Sequence, residues 1–259
     1  MYIDQMSNCG SASSSVSFHP ASSTTRTVIS ATVATTIAMK RARCAHGRRP
    51  TVAKSRALMP RRASVGSGSA GWSRDTRDSL IQTNAGTFSR VSSEFASGDL
   101  QYYRVGIQQQ WYQPLTRAYT LSLGGDIGFA DGLAGKPLPF FKNYYAGGPG
   151  TVRGYSSFSL GPQDVNGTAI GGNRRFAASA EVLFPMPGAG QDRSLRLAWF
   201  VDGGQVFANR YEFNALRYSA GLAFSWSSPF GPLQLSFAQP LNAKSTDHIQ
   251  RLQFTFGTG

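Results

Sequence analysis

From Gly71 to its last residues this chain alternates apolar and polar side chains with a period of two, segment after segment, and nowhere runs 18 apolar residues together. Successive side chains of a strand point to opposite faces, so this pattern commits the region to β-structure. Segment 100–113 sets Tyr103, Val105, Ile107 and Trp111 against Arg104, Gly106, Gln108 and Gln110. Segment 173–184 sets Phe176, Ala178, Ala180, Val182 and Phe184 against Arg175, Ala177, Ser179 and Glu181. Segment 195–202 sets Leu195, Leu197, Trp199 and Val201 against Arg196, Ala198, Phe200 and Asp202. Comparable alternation at 118–129, 216–226, 233–237 and 249–256, with strands at 71–77 and 87–96, predicts about nine strands in an up-and-down antiparallel meander.

Two features decide what such a sheet faces. The polar side is filled by Gly, Ser, Gln and Thr, which suits a wet lumen better than a dry core. The aromatics Trp111, Tyr112, Trp226, Phe254 and Phe256 cluster near strand ends, as interfacial girdles do. The chain has no apolar run long enough for a transmembrane helix, which leaves a closed β-barrel as the spanning solution. A soluble β-sandwich alternates in the same way and stays open as the other reading.

Charge is unevenly distributed. Residues 1–70 carry ten Lys/Arg and one acid, Asp4, so they account for nine of the thirteen net positive charges. The basic character of the whole chain therefore implies no nucleic-acid partner. The same stretch holds both cysteines, Cys9 and Cys44, which form neither a disulfide framework nor a metal-ligand spacing. It is rich in Ser, Thr, Ala and Arg without clear period, and is expected to be a disordered or non-native basic tail ending at residue 70.

The long loop between the alternating segments, about 131–171, contains Phe140-Phe141-Lys142-Asn143-Tyr144-Tyr145-Ala146-Gly147-Gly148-Pro149-Gly150-Thr151-Val152-Arg153-Gly154-Tyr155. With it go Gly71 to Asp78, Gly128 to Leu133, Ala180-Glu181-Val182, Phe200 to Gly204, Ser227 to Leu233 and Phe237 to Pro240. Taken in chain order, the seven stretches resemble the BamA-type outer-membrane barrel assembly factors, the bacterial surface antigen family, over residues 71–259. The resemblance implies a 16-stranded transmembrane barrel of the Gram-negative outer membrane, whose lid loop folds back into the lumen. It further implies that Arg153, in the motif Val152-Arg153-Gly154-Tyr155, pairs with Glu181 and Asp202. The alternation agrees, since both acids fall on the polar face of their strands. Leu252, Phe254, Phe256 and Gly257 resemble the family's C-terminal strand signal, although the usual last aromatic is absent.

About nine strands do not close a 16-stranded barrel, and hydrocarbon tolerates no open sheet edge. The chain therefore reads as part of an assembly factor that folds and inserts other β-barrel proteins. By resemblance its partners are the bilayer, unfolded barrel clients and accessory lipoproteins. Three alternatives remain: a polypeptide-secretion pore of the same superfamily, a passive channel or surface antigen, and the soluble sandwich. No catalytic residues, cofactor or metal are expected. His248 is the single histidine after residue 70, and no nucleophile–base arrangement builds around it.

Overall fold

A computed structural model describes residues 13–18, 26–35, 65–188 and 194–257. The strands are β1 (Ser13–Phe18), β2 (Arg26–Thr35), β3 (Val65–Asp75), β4 (Gly86–Gly98), β5 (Tyr102–Pro114), β6 (Thr120–Gly132), β7 (Gly154–Tyr155), β8 (Arg174–Pro185), β9 (Leu195–Phe207), β10 (Arg217–Ser228), β11 (Gly231–Pro240), β12 (Ile249–Gln250) and β13 (Leu252–Phe256). Eleven of them form one sheet in the order β1-β2-β3-β4-β5-β6-β8-β9-β10-β11-β13, while β7 and β12 pair separately. All pairings are antiparallel, and within the large sheet each strand pairs with the next one of that sheet, β6 with β8 across the long loop and β11 with β13 past β12, which is the expected meander. Among the described residues the end strands β1 and β13 do not pair with each other, so the sheet they bound is open. None of the described helical segments is long and apolar enough to cross a membrane.

The sheet wears its apolar side chains outward. On β9 Trp199 is 60% and Val201 51% exposed, while Ala198, Phe200 and Asp202 between them are buried. The same holds for Ile107, Leu123, Ile127, Leu222, Leu235 and Phe237 on neighbouring strands. The concave side carries Arg175, Ser179, Glu181, Asp202, Ser219, Ser236 and Gln253. In water this arrangement would expose a large apolar band and hide polar groups, so it identifies the convex side as lipid-facing. It also disposes of the soluble sandwich, in which polar residues would face out.

Curvature brings distant strands together. The turn between β3 and β4 crosses to the far wall, where Gln82 Nε2 donates to Ser227 Oγ at 3.1 Å. Arg196 on β9 reaches the same turn, donating to Asn84 Oδ1 at 2.7 Å and to the Thr83 carbonyl at 3.2 Å.

The expected boundary at residue 70 is corrected by the structure. Val65–Asp75 is one strand that runs through it, and β1 and β2 lie within the stretch read as a tail. β2 pairs with β3 over ten positions, Arg26 to Thr35 against Asp75 to Gly66. A strand needs only backbone groups to join an existing edge, so Ser, Thr and Ala serve without an apolar alternation to announce them. The remainder of residues 1–64 lies outside the described residues.

Candidate functional site: the lid loop and its seats

The 41 residues between β6 and β8 turn back into the concave side. Val152, Arg153, Gly154 and Tyr155 are all buried there, Val152 and Tyr155 fully. Register explains why one arginine meets two acids. Ser179 on β8 stands opposite Asp202 on β9, and Glu181 stands opposite Phe200. Glu181 and Asp202 are thus diagonal neighbours on one face, about 7–8 Å apart by sheet geometry. A guanidinium fits between them.

Arg153 occupies that place. Its Nε donates to Asp202 Oδ2 and its Nη2 to Asp202 Oδ1, both at 2.7 Å, a two-pronged fork. The same Nη2 lies 2.6 Å from Glu181 Oε1. The backbone N–H of Arg153 also donates to Asp202, at 3.1 Å. Beneath it the Phe200 ring receives the guanidinium carbon at 3.5 Å from its centroid. Asp202 is 1% exposed, so its charge has no water to fall back on. Burial alone would loosen the Arg153 proton, but the two carboxylates outweigh it and hold that proton more tightly than in a free side chain.

Close packing locks the motif against the wall. Gly154 has φ +89°, a backbone shape open chiefly to glycine, and a Cβ there would stand 3.0 Å from the Ala238 Cβ. On the facing strand a Cβ at Gly204 would come within 2.8 Å of Val152 Cγ2. Burial pushes the Tyr155 hydroxyl up to about 12, helped by nearby Asp247 and opposed by Arg217, so it stays neutral.

A second seat was not foreseen. Tyr144 inserts its ring over Gly128 of β6, where a Cβ would lie 2.6 Å from ring carbons, and its hydroxyl donates to the Val105 carbonyl of β5 at 2.7 Å. Arg104 and Arg175 flank the ring, with guanidinium carbons 4.3 and 5.0 Å from its centroid. Nearby Lys142 donates to Glu94 at 2.5 Å. This seat borders a lumen cavity of about 330 Å³ lined in part by Arg90, Glu94, Asp126 and Arg175. Tyr144 lies in the conspicuous loop stretch, but nothing local to it signals that Gly128 leaves room for its ring.

The residues expected to carry a C-terminal strand signal sit as their alternation requires. Leu252, Phe254 and Phe256 point outward and are 59–65% exposed, and Gln253 between them is buried. Gly257 follows the strand with φ +93° and its N–H donates to the Pro232 carbonyl at 2.8 Å. Among the described residues no group of three or more His, Cys, Asp and Glu is placed to hold a metal.

Residues 12–259 match the Omp85 superfamily domain. The outer membrane protein assembly factor BamA of Neisseria meningitidis is 42% identical, over 74% of this chain and 28% of the relative. The SAM50-like protein of Schizosaccharomyces pombe is 28% identical, over 73% of this chain and 42% of the relative. The chain thus spans well under half the length of these relatives. Among solved structures, BamA from Haemophilus ducreyi lacking POTRA domains 1–3 superposes with a TM-score of 0.70. That match covers 89% of this chain and 49% of the other at 24% identity, a likeness of fold.

Proposed function

The chain belongs to the Omp85 superfamily, and from that premise we propose that it acts in folding and inserting other β-barrel proteins into an outer membrane of the Gram-negative type. The observation that carries the reading is the lid clasp. Arg153 is forked onto Asp202 and bridged to Glu181 inside a sheet whose outer face is apolar. A passive channel gains from an unobstructed lumen, whereas this lumen is occupied by a loop seated at two places. Its clients would be unfolded barrel proteins and its surroundings the bilayer, with accessory lipoproteins as partners. No covalent step is required of such a factor. It would offer backbone groups of a sheet edge to an incoming strand and disturb the lipid around it. The functional side chains therefore act by holding geometry, and none is assigned a catalytic role.

The test is reconstitution of the full-length protein in lipid vesicles, followed by the folding rate of an unfolded client barrel. At least tenfold acceleration over empty vesicles is expected. Ion conductance without acceleration would identify a passive channel. Loss of one exported polypeptide on Arg153→Ala in cells, with client-barrel levels unchanged, would identify a secretion pore.

A further inference from the structure

The wall ends in a strand that changes partner part-way along. Leu252–Phe256 pairs with Phe237–Leu233 of β11, but Ile249 and Gln250 leave that ladder and pair with Tyr155 and Gly154 of the lid. The switch falls at Arg251, whose carbonyl still accepts from the Ala238 N–H at 2.8 Å. Beyond it the lid ladder continues, since the Ser156 N–H donates to the His248 carbonyl at 2.8 Å. The segment is fastened from below as well: Asp247 pairs with Arg217 at 2.5 Å, both side chains being about as buried as the Arg153 clasp.

At the first inward position after the switch stands Gln253, 3% exposed. Its Nε2 donates to the Tyr155 carbonyl at 2.7 Å. Its Oε1 is buried and finds no hydrogen-bond partner among the described residues. Strand pairing does not explain an amide here. The opposite residue is Ser236, a small side chain suffices on this face, and a half-satisfied buried amide is a net cost to the wall by itself. The amide is accounted for by what it holds, the lid backbone two residues past Arg153.

We infer that Gln253 is a positioning residue that makes the lid and the upper part of the last strand one mechanical unit. Shifting that part of the strand against β11 then requires giving up the Gln253–Tyr155 and Ser156–His248 bonds. Freeing the lid conversely unfastens the strand end. The inference rests on the assembly reading for its functional consequence, while its structural half is measurable without it.

The ladder, continued by one pair, sets Ser156 opposite His248, a spacing a disulfide spans. In the full-length protein, with Cys9 and Cys44 changed to serine, the pair Ser156→Cys and His248→Cys is oxidised in outer-membrane vesicles. Disulfide yield is compared with and without Gln253→Met, an apolar side chain of similar length. A severalfold lower yield in the Met variant, with heat-modifiable mobility unchanged, is expected. Unchanged yield would overturn the positioning role. The locked protein with Gln253 intact is then assayed for client insertion. At least a tenfold loss, recovered on reduction, is expected. Full insertion by the locked protein would overturn the coupling and leave the assembly reading standing. Failure of the reduced protein to insert clients would instead sink the assembly reading, with the yield comparison still deciding the role of Gln253. That lock does not depend on how well the Met variant folds.

Discussion

Replacing Arg153 by alanine removes the centre of the clasp, and the structure allows its cost to be bounded. The side chain makes two charge-assisted bonds to Asp202, one ion contact to Glu181 and a stacked contact with Phe200. Its loss strands Asp202, at 1% exposure, with one backbone N–H of the lid as its remaining described donor. Removing one member of a buried pair costs about 3–5 kcal/mol, chiefly through the charge left behind. The stacking on Phe200, worth up to about 2 kcal/mol alone, shares the same guanidinium and does not add in full. At about 1.4 kcal/mol per factor of ten, the lid's closed-to-open ratio should fall by roughly two to three and a half orders of magnitude. The assay is maleimide labelling of Ala146→Cys, a lid position 1% exposed, in a background without Cys9 and Cys44. When opening and closing are fast, the labelling rate follows the open population. At least a hundredfold acceleration is expected for Arg153→Ala. Arg153→Lys keeps the charge and loses the fork, so an intermediate increase is expected. Asp202→Ala should combine with Arg153→Ala for less than the sum of the two. A change under about threefold in Arg153→Ala would refute the reasoning, because the fork would then hold nothing that the rest of the lid does not hold alone.

Three other outcomes follow from the same geometry. Gly128→Ala places a methyl where the Tyr144 ring lies, so it should raise labelling at Ala146→Cys more than Tyr144→Phe, which forfeits one hydrogen bond worth about 1 kcal/mol. Val201→Arg sets a charge on the outward face near the middle of β9 and should destabilise the folded protein by about 2–4 kcal/mol. Gln108→Lys, on the lumen face of β5, should stay within about 0.5 kcal/mol, both read from urea titrations in bilayers. In the turn between β3 and β4, burial pushes the Asp78 carboxyl up, but hydrogen bonds from the Asn84 and Ala85 N–H groups outweigh it and hold it below the ordinary carboxylate range. A folded value below the unfolded one gives stability that is present at neutral pH and lost as pH falls through the folded value. Pepsin cleavage at this turn, measured against an unstructured control peptide, should therefore rise on acidification below about pH 4, and Asp78→Asn should remove that dependence.

The alternation of side chains is a local property of strands, and for that reason the sequence alone determined the β-meander, the faces of most strands and the inward aim of Glu181 and Asp202. Each follows from counting by twos along one segment, whatever the neighbouring segments do. The identity of Arg153 as the loop's partner for those acids came from resemblance, and the placement of its fork depends on the register that sets Ser179 against Asp202. What only the tertiary structure decided involves residues far apart in the chain or segments without alternation. β1 and β2 pair through backbone groups, so a Ser/Thr/Ala stretch carried no mark of them, and the boundary expected at residue 70 fell inside β3. Tyr144 needs the bare backbone of Gly128 and the cations of Arg104 and Arg175, none of which lies near it in sequence. Gln253 reads as one more polar residue on a lumen face until the lid carbonyl of Tyr155 is found against it. Backbone hydrogen bonds and close approaches across long sequence separations leave no periodic trace, so folding alone reveals them.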